Sequence, residues 1–316
     1  MNSIERTMRV SAVTAVADGV IALTLVDPDG GLLPEWQPGA HLDVVLPGPL
    51  VRQYSLCGAT SDRTRYRIAV LFERDGRGGS RYLHERVHAG DELRIRGPRN
   101  NFRLEEAEFY QFVAGGIGIT PILPMIAEVQ RAGLSWALLY GGRSLDSMAF
   151  LDELEAYPGQ VTVVPQDRLG LPDLDALLGD RKPGTKVYCC GPGGGGLIDA
   201  VRARCDEEVL RYELFRAPET DDVDSAGDHP FEVVLASTGK TVLVQPGESV
   251  LAKVLDSGAD VLHDCRDGIC GSCETAILEG EADHRDHVLT AAEQRENSCM
   301  MICVSRCRGE RLVLDL

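Results

Sequence analysis

A cluster of cysteines is the feature of this sequence whose residue types and spacing carry the clearest chemistry. Four residues separate Cys265 from Cys270, two separate Cys270 from Cys273, and Cys303 follows after another 29 residues. This spacing is typical of a [2Fe–2S] cluster, in which four thiolates hold two irons. A small residue such as Gly268 lets backbone N–H groups approach the inorganic sulfides. We therefore predict that these four cysteines are the metal ligands of a [2Fe–2S] cluster.

Zinc is the alternative that the same cysteines leave open. Cys270 and Cys273 have the spacing of half a structural zinc site, which two further cysteines would complete. Such sites usually pair two short C-x2–4-C units, whereas the second half here offers only the wider set Cys299, Cys303 and Cys307. The spacing favours iron, and we expect Cys299 and Cys307 to be packing residues. The seven histidines show no Rieske spacing and no metal motif.

The composition narrows the class of protein. The 316 residues are 44% hydrophobic and 26% charged, the ordinary balance of a globular protein with two or three domains. With 32 Lys and Arg against 49 Asp and Glu, the formal charge is −17, which argues against nucleic acids and anionic membranes as partners. The sequence shows neither a signal peptide nor an apolar run of roughly 20 residues that could span a membrane. We expect a soluble cytoplasmic protein, in which a reducing environment disfavours disulfides.

The chain divides into successive segments whose hydrophobic patterns predict different folds, and these folds must position the cysteine cluster. Residues 1–104 contain short alternating strands separated by Gly and Pro turns, which predicts an antiparallel β-barrel. Residues 105–217 alternate apolar strands with helices, which predicts a parallel α/β sheet. The acidic, small-residue stretch at 218–229 is typical of a flexible linker. Residues 230–316 combine a predicted hairpin and a short helix with the cysteine cluster.

The cysteine spacing and this order of segments resemble the phthalate dioxygenase reductase family, including the vanillate O-demethylase reductases. The resemblance covers nearly the whole chain. It implies that residues 1–104 form an FMN-binding Greek-key β-barrel and that residues 105–217 form an NAD-binding α/β domain. It also implies that residues 230–316 form a plant-type ferredoxin domain of β-grasp fold.

One strand of the predicted barrel resembles the flavin-binding strand of this family: Arg52, Gln53, Tyr54 and Ser55. The resemblance implies that Tyr54 packs against the isoalloxazine ring and that Ser55 hydrogen-bonds near the flavin N5. It also implies that Arg52 pairs with the phosphate through its fork of donors. Taken alone, these four residues also fit an ordinary half-buried strand.

A glycine-rich turn supplies the second half of the predicted flavin site. Gly78, Gly79 and Ser80 match the family's phosphate loop and open a helical stretch at 80–87, whose N-terminus favours an anion. An ordinary hairpin turn is the alternative for this loop by itself. Between Ser80 and Gly97 there is no long insertion with an aromatic residue suited to clamp an adenine, which favours FMN over FAD.

Two turns that follow strands of the α/β segment predict the nicotinamide site. The first resembles the G-G-x-G-x-T-P turn of this superfamily and contains Gly115, Gly116, Gly118, Thr120 and Pro121. The second, Cys190, Gly191 and Pro192, matches the family's C-G-P, which implies that the cysteine lies beside the nicotinamide C4. A buried structural thiol is the alternative for Cys190, and Cys189 is expected to pack in the sheet. The glycine run at 193–196 departs from the family's usual continuation.

Two further residues, Phe215 and Arg143, bear on how the nicotinamide nucleotide binds. The segment 213–215 resembles the family's E-x-F ending, which implies that Phe215 covers the flavin ring until nicotinamide displaces it. A core aromatic is the alternative for this residue. Arg143 suits the 2′-phosphate of NADPH, but a single arginine is usually solvated and the resemblance favours NADH. We expect catalytic roles for Ser55, Cys190 and Phe215.

The combined motifs predict an electron-transfer reductase. Hydride would pass from NADH to FMN, and single electrons would then pass through the [2Fe–2S] cluster to a separate acceptor. The resemblance implies that this acceptor is a Rieske-type oxygenase or demethylase component. Residues 230–316 carry 15 acidic and 8 basic side chains, which predicts a basic docking patch on the partner. Two alternatives stay open: a stand-alone reductase of a small acceptor such as a quinone, and a zinc-stapled flavin or nucleotide-binding module.

Overall fold

The computed structural model describes residues 5–48, 50–193, 196–217 and 227–316. The chain divides into two compact units, Met1–Phe215 and Arg216–Leu316. Residues 218–226 of the predicted linker lie outside the described residues, as do residues 194 and 195 of the glycine run. Among the residues described, no helix combines the length and the apolar character that crossing a lipid bilayer requires.

The first unit begins with an antiparallel barrel. Its six strands pair in the order β4-β3-β6-β1-β2-β5 and are β1 Glu5–Ala17, β2 Val20–Val26, β3 His41–Val45, β4 Val51–Ser55, β5 Arg65–Leu71 and β6 Glu92–Arg99. Helix α1, Gly79–Arg86, follows β5. Alternate side chains point inward, so Leu42 and Val44 of β3 join Leu23 and Leu25 of β2 in one apolar core. The Greek-key barrel that the sequence predicts is confirmed.

A parallel α/β sheet follows. Its strands pair in the order β11-β10-β7-β8-β9 and are β7 Phe109–Gly115, β8 Ser135–Gly142, β9 Val161–Pro165, β10 Thr185–Gly191 and β11 Leu210–Leu214. The chain proceeds from β7 to β9 on one side and then returns to β10 on the other side of β7. The carboxyl ends of β7 and β10 therefore form a topological switch point, where open α/β sheets bind their ligands.

The helices of this sheet differ in part from the sequence expectation. They are α2 Ile119–Arg131, α3 Leu151–Leu154, α4 Gln166–Leu169, α5 Leu174–Leu178 and α6 Leu197–Arg202. The sequence pattern predicts a helix over 148–156. The helix is reduced to α3, because Phe150 has a left-handed backbone with φ +63° and the helix begins only after it. The sequence pattern does not predict strand β11, because the charged residues Arg211 and Glu213 interrupt its apolar pattern.

A shared apolar core joins the barrel to the α/β sheet. Val20 and Ala69 of the barrel pack in the same cluster as Phe112 and Tyr140 of the sheet. An ion pair reinforces this junction, since Arg67 on β5 contacts Glu153 on α3 through two N–H···O bonds, one of 2.9 Å. The same guanidinium lies 4.9 Å from the centre of the Phe150 ring. The barrel and the α/β sheet are thus parts of one packed unit.

The second unit has the β-grasp fold that the sequence predicts. Its main sheet has the order β13-β12-β18-β14-β16, formed by β12 Phe231–Leu235, β13 Lys240–Val244, β14 Glu274–Glu279, β16 Cys299–Met301 and β18 Arg311–Leu314. Strands β12 and β18 are parallel. The remaining elements are α7 Val250–Asp256, α8 Ala291–Glu296 and the short pair β15 Ala282–Asp283 and β17 Arg306–Cys307. Ser249 caps α7 by accepting the Ala252 N–H, and the helix buries Val250 and Val254.

Candidate functional site

Strand β4 carries the four residues predicted to bind the flavin: Arg52, Gln53, Tyr54 and Ser55. Its register with β3 places Arg52 and Tyr54 on the side of the barrel core and Gln53 and Ser55 on the opposite face. Burial raises the pKa of the Tyr54 hydroxyl, so this group stays protonated. Gln53 donates from Nε2 to Oδ1 of Asp43 over 3.1 Å, which ties β4 to β3.

The predicted phosphate loop lies against Arg52. Gly78 caps α1 with φ +91°, a left-handed conformation that glycine adopts without steric cost. A Cβ on Gly79 would lie 2.5 Å from Cγ of Arg52, so only glycine allows the arginine to pack against the start of the helix. The Ser80 hydroxyl accepts the Glu73 N–H over 3.0 Å and keeps its own hydrogen to donate. A guanidinium beside a helix N-terminus is the chemistry that binds a phosphate.

Three side chains from different strands meet where the barrel adjoins the α/β sheet. The Ser55 hydroxyl donates to Oε2 of Glu213 over 3.4 Å. Glu213 on β11 lies beside Cys190 on β10 in the parallel register. Burial raises the pKa of Glu213 to about 8, although the Ser55 hydrogen bond lowers it in part. Burial and the neighbouring Glu213 charge raise the pKa of Cys190. At neutral pH the group therefore consists of a neutral acid, a neutral thiol and a hydroxyl.

Glu213 is the member of this group that sequence reasoning did not select as a site residue. Its only signal in the sequence is the first position of the E-x-F ending. The contact joins residues 158 positions apart in the chain. Neither this contact nor the burial of the carboxyl can be deduced from residue type and local spacing.

The raised pKa of Glu213 predicts a pH-dependent stability for the first unit. An unfolded glutamate ionises near pH 4.5, whereas this carboxyl keeps its proton to about pH 8. Its contribution to stability is therefore complete below the lower value and is lost as the pH rises through the higher one. We expect Glu213→Gln, which is neutral at every pH, to gain in Tm relative to the parent chain as the pH is raised over this window.

Calorimetric unfolding of the flavin-depleted parent and variant at several pH values measures this gain. Glu207→Gln, at an exposed position in the same unit, is the matched control and is expected to show no such trend. A Tm difference between Glu213→Gln and the parent that stays constant with pH would contradict the assignment.

The two turns predicted to bind the pyridine nucleotide pack directly against each other at the switch point. A Cβ on Gly118 would lie 2.1 Å from the carbonyl oxygen of Cys190, and one on Gly115 would lie 2.9 Å from Cδ of Pro192. Gly116 has φ +54°. Glycine is therefore required in the first turn, both for close approach and for conformation.

Other residues of the two turns have structural partners of their own. Thr120 donates from Oγ1 to the carbonyl oxygen of Ile117 over 2.9 Å. Pro121 is the third residue of α2, within the first turn, where no intrahelical hydrogen bond is lost. A Cβ on Gly191 would lie 3.1 Å from Cα of Gly115. A role for these residues in holding the nucleotide stays a prediction.

Phe215 and Arg143 lie at the surface of the same unit. The Phe215 side chain is 43% exposed at the end of β11, so the alternative of a core aromatic is wrong. Arg143 follows β8, and its carbonyl oxygen accepts the Asp167 N–H over 3.0 Å. That Phe215 covers the flavin ring stays a prediction. Arg143 does not decide between NADH and NADPH, so the preference for NADH stays a prediction as well.

The four predicted cluster ligands are buried together in the second unit. Cys265, Cys270, Cys273 and Cys303 are 8%, 3%, 2% and 7% exposed. The Cys265 thiol hydrogen-bonds to those of Cys270 and Cys303, and Cys303 also bonds to Cys273. The bond with Cys265 and burial raise the pKa of Cys270. Within the described ranges, no three His, Cys, Asp or Glu side chains are arranged to hold one metal ion. A [2Fe–2S] cluster divides its four thiolates between two irons.

The backbone of the cysteine loop directs N–H groups at sulfur. The Asp267 N–H donates to Sγ of Cys265 over 3.3 Å, and the Ser272 N–H donates to Sγ of Cys270 over 3.5 Å. Gly268, with φ +69°, makes the turn between them. Such N–H···S bonds tune cluster potentials. The buried thiols and their N–H donors fit a [2Fe–2S] cluster.

Cys307 and Cys189 have packing roles, as the sequence predicts, whereas the packing role of Cys299 stays a prediction. Cys307 is 2% exposed, and its thiol donates to the carbonyl oxygen of Arg311 over 3.5 Å. Cys299 pairs with Ala276 between β16 and β14. Cys189 is fully buried in β10.

Comparisons with known proteins agree with this combination of sites. Residues 233–308 match the family model of the 2Fe-2S iron-sulfur cluster binding domain. This match overturns the zinc alternative. The chain is 42% identical over 322 residues to the carnitine monooxygenase reductase subunit of Escherichia coli (strain K12), covering 98% of each chain. It is 41% identical to the vanillate O-demethylase oxidoreductase of Pseudomonas sp. over 97% of this chain and 98% of that one.

The name of a third relative indicates a quinone as its electron acceptor. This is the tetrachlorobenzoquinone reductase of Sphingobium chlorophenolicum, which is 38% identical over 98% of this chain and 97% of its own length.

Solved structures cover the whole fold. A phthalate dioxygenase reductase, described as a modular structure for electron transfer from pyridine nucleotides to [2Fe–2S], has 35% identity and a TM-score of 0.71 over 99% of this chain and 98% of its own. An intact type IV self-sufficient cytochrome P450 monooxygenase has 44% identity and a TM-score of 0.93. This chain covers 41% of that longer protein.

The barrel, the α/β sheet and the four-cysteine β-grasp unit together define an iron–sulfur flavoprotein oxidoreductase that uses a pyridine nucleotide. The similarity extends over the full length of several relatives well above 30% identity. The chain belongs to the phthalate dioxygenase reductase family.

Proposed function

We propose that this chain is the NADH-dependent reductase component of a Rieske-type oxygenase or demethylase. One observation carries the proposal: a single chain combines the Ser55–Glu213–Cys190 group at the switch point with a buried four-thiol loop in a separate compact unit. Bound FMN and [2Fe–2S] would supply the conversion of a two-electron donor into single electrons. The chain would supply position, orientation and electrostatics.

The flavin site follows from the chemistry of β4 and α1. Arg52 and the N-terminal turn of α1, with Gly78, Gly79 and Ser80, would hold the FMN phosphate. Tyr54 would lie against the isoalloxazine ring. Support comes from the packing of Arg52 on Gly79 and from the free donor of the Ser80 hydroxyl.

The nicotinamide site follows from the two packed turns and the group beside them. The turns at 115–121 and 190–192 would hold the nucleotide, with backbone N–H groups toward its pyrophosphate. Cys190 and Ser55 would orient the nicotinamide and the flavin ring, and Phe215 would cover the ring in the absence of nucleotide. Support comes from the position of both turns at the switch point and from the exposure of Phe215.

The domain assignment belongs to the same proposal. Residues 1–104 would bind FMN, residues 105–217 would bind NADH, 218–229 would link the two units, and residues 230–316 would carry the cluster. Relatives named as reductase subunits of a monooxygenase and as a demethylase oxidoreductase support an oxygenase component as the acceptor.

The proposal is tested by the visible spectrum of the purified chain, with released flavin and iron quantified on the same sample. We expect one flavin mononucleotide and two irons per chain, bleached together by NADH under anaerobic conditions. Rapid mixing with a purified Rieske oxygenase should then reoxidise the cluster. A chain whose cluster NADH does not reduce would overturn the proposed electron path.

The charge of residues 230–316 predicts how ionic strength acts on this chain. Because they carry 15 acidic and 8 basic side chains, an acceptor with a basic patch would be steered to them at low salt. We expect added salt to slow reduction of the protein acceptor and to leave NADH oxidation by ferricyanide nearly unchanged. Parallel steady-state assays over a salt series measure both rates, and an equal salt effect on the two would contradict the docking hypothesis.

Reduction of a quinone is a second candidate function, which the similarity to a tetrachlorobenzoquinone reductase favours. In that case NADH would drive turnover of a substituted benzoquinone without any protein partner. Comparing this rate with the rate of oxygenase reduction, at equal enzyme concentration, distinguishes the two functions.

A further inference from the structure

On strand β3, the face opposite the barrel core carries polar side chains that are buried, although such a face is usually exposed to solvent. Along β3, Leu42 and Val44 point into the barrel core, so His41 and Asp43 lie on the opposite face. His41 is paired across the sheet with Ser55 on one side and with Arg99 on the other. Both His41 and Asp43 are buried, at 5% and 0% exposure.

On this face, His41 and Asp43 differ in the hydrogen bonds of their side chains. Asp43 accepts hydrogen bonds at Oδ1 from Nε2 of Gln53 and from Nη2 of Arg99, at 3.1 and 2.7 Å. Nε2 of His41 is buried and has no hydrogen-bond partner among the described residues. A buried polar atom left without a hydrogen bond destabilises the fold, so such an atom usually has a partner in the functional protein.

The position of His41 indicates what that partner is. Directly opposed residues of antiparallel strands have Cβ atoms roughly 5 Å apart, so the imidazole lies next to Ser55 on the same face. The Ser55 hydroxyl reaches across to Glu213 of the α/β sheet, so this face borders the junction of barrel and sheet. A ligand that contacts Ser55 is therefore within reach of His41.

We propose that His41 is a positioning residue of the flavin site, with Nε2 hydrogen-bonded to a polar atom at the edge of the isoalloxazine ring. This inference rests on the proposed function. The imidazole remains neutral, because burial and the nearby Arg99 lower the pKa of His41 to about 3. A neutral imidazole can donate or accept a hydrogen bond, and the ring edge of a flavin offers both kinds of partner.

Three substitutions in the full chain test the role of Nε2. His41→Leu keeps the volume and removes both nitrogens, His41→Gln restores a nitrogen near the position of Nε2, and His41→Asn does not reach that position. His88→Gln is the matched control, because the His88 side chain is 75% exposed on the same barrel. The readouts are the FMN dissociation constant of the flavin-depleted chain, from flavin fluorescence, and the midpoint potential of the bound flavin.

We expect His41→Leu and His41→Asn to weaken FMN binding about 10-fold and to shift the flavin potential, since one hydrogen bond to the ligand is lost. His41→Gln should recover most of the affinity, and His88→Gln should match the parent. If His41→Leu does not fold, as judged by circular dichroism, the comparison of the Gln and Asn variants decides.

Equal FMN affinity and equal potential in the parent and all folded His41 variants would overturn the inference. A parent chain that binds no flavin would instead overturn the proposed function, which keeps the two failures distinct.

Discussion

Replacement of Cys270 by serine is expected to stop electron delivery to a protein acceptor while hydride acceptance from NADH continues. Cys270 is 3% exposed, hydrogen-bonds to the Cys265 thiol and receives the Ser272 N–H, so it is a buried member of the four-thiol loop. A serine hydroxyl is a poor ligand for iron, which thiolates hold in such clusters. Changes in the surroundings of metal ligands alone cost 10–100-fold, so loss of a ligand should lower acceptor reduction by about 100-fold or more.

The measurement compares two activities of the same preparation. Iron content and the rate of oxygenase reduction should both collapse in Cys270→Ser. NADH oxidation by ferricyanide should fall less than about 3-fold, because the residues predicted to bind flavin and NADH belong to the other compact unit. Cys299→Ser is the matched control, a half-buried cysteine of the same unit in strand β16. Full iron content in Cys270→Ser, or iron loss of equal size in Cys299→Ser, would contradict the ligand assignment.

Substitution of Gly118 by alanine is expected to give the second large effect, on the use of NADH. The added Cβ would lie 2.1 Å from the carbonyl oxygen of Cys190 and 2.4 Å from its carbonyl carbon, and both are backbone atoms that cannot rotate away. The two turns must therefore separate by on the order of 1 Å, a displacement that can cost about 100-fold in rate when reacting groups are misplaced. We expect kcat/KM for NADH to fall by this factor.

The control for this steric argument is Gly141→Ala, at the end of the neighbouring strand β8. There the nearest atoms to an added Cβ are carbonyl oxygens at 3.9 and 4.0 Å, which is ordinary van der Waals contact. Gly141→Ala should keep kcat/KM for NADH within about 3-fold of the parent. Flavin and iron contents of Gly118→Ala should match the parent, because the damage is confined to the turns. An unchanged kcat/KM in Gly118→Ala would show that the turns do not hold the nucleotide.

Cys270 and Gly118 are both recognisable in the sequence, but only the role of Cys270 follows from local spacing. The spacing of Cys265, Cys270 and Cys273 is local, so ligand chemistry alone selects these residues. Gly118 belongs to a turn motif that the sequence shows, whereas its contact with Cys190 joins two residues 72 positions apart in the chain. The motif identifies the glycine, and only the parallel pairing of β7 with β10 explains why no other residue fits there.

The bounds of the helices and strands also depend partly on the sequence pattern and partly on the tertiary structure. The apolar patterns predict a strand over 135–140 and a helix over 121–131, and β8 and α2 lie close to these ranges. The helix expected over 148–156 is shorter because of the backbone conformation of Phe150, which residue type does not indicate. Strand β11 was missed because pairing with β10, and not its own pattern, makes it a strand.

The sequence by itself determined the fold class, the three kinds of segment and the cluster ligands, because these depend on residue periodicity, turn chemistry and the short spacing of cysteines. Only the tertiary structure decided that Glu213 meets Ser55, that Gly118 lies against Cys190 and that His41 is buried beside Ser55. The first two contacts join residues 158 and 72 positions apart in the chain, and the third lies on a face of β3 and β4 that other parts of the fold bury. Their burial, and with it the pKa of Glu213 and the unsatisfied Nε2 of His41, depends on what the other strands bring alongside.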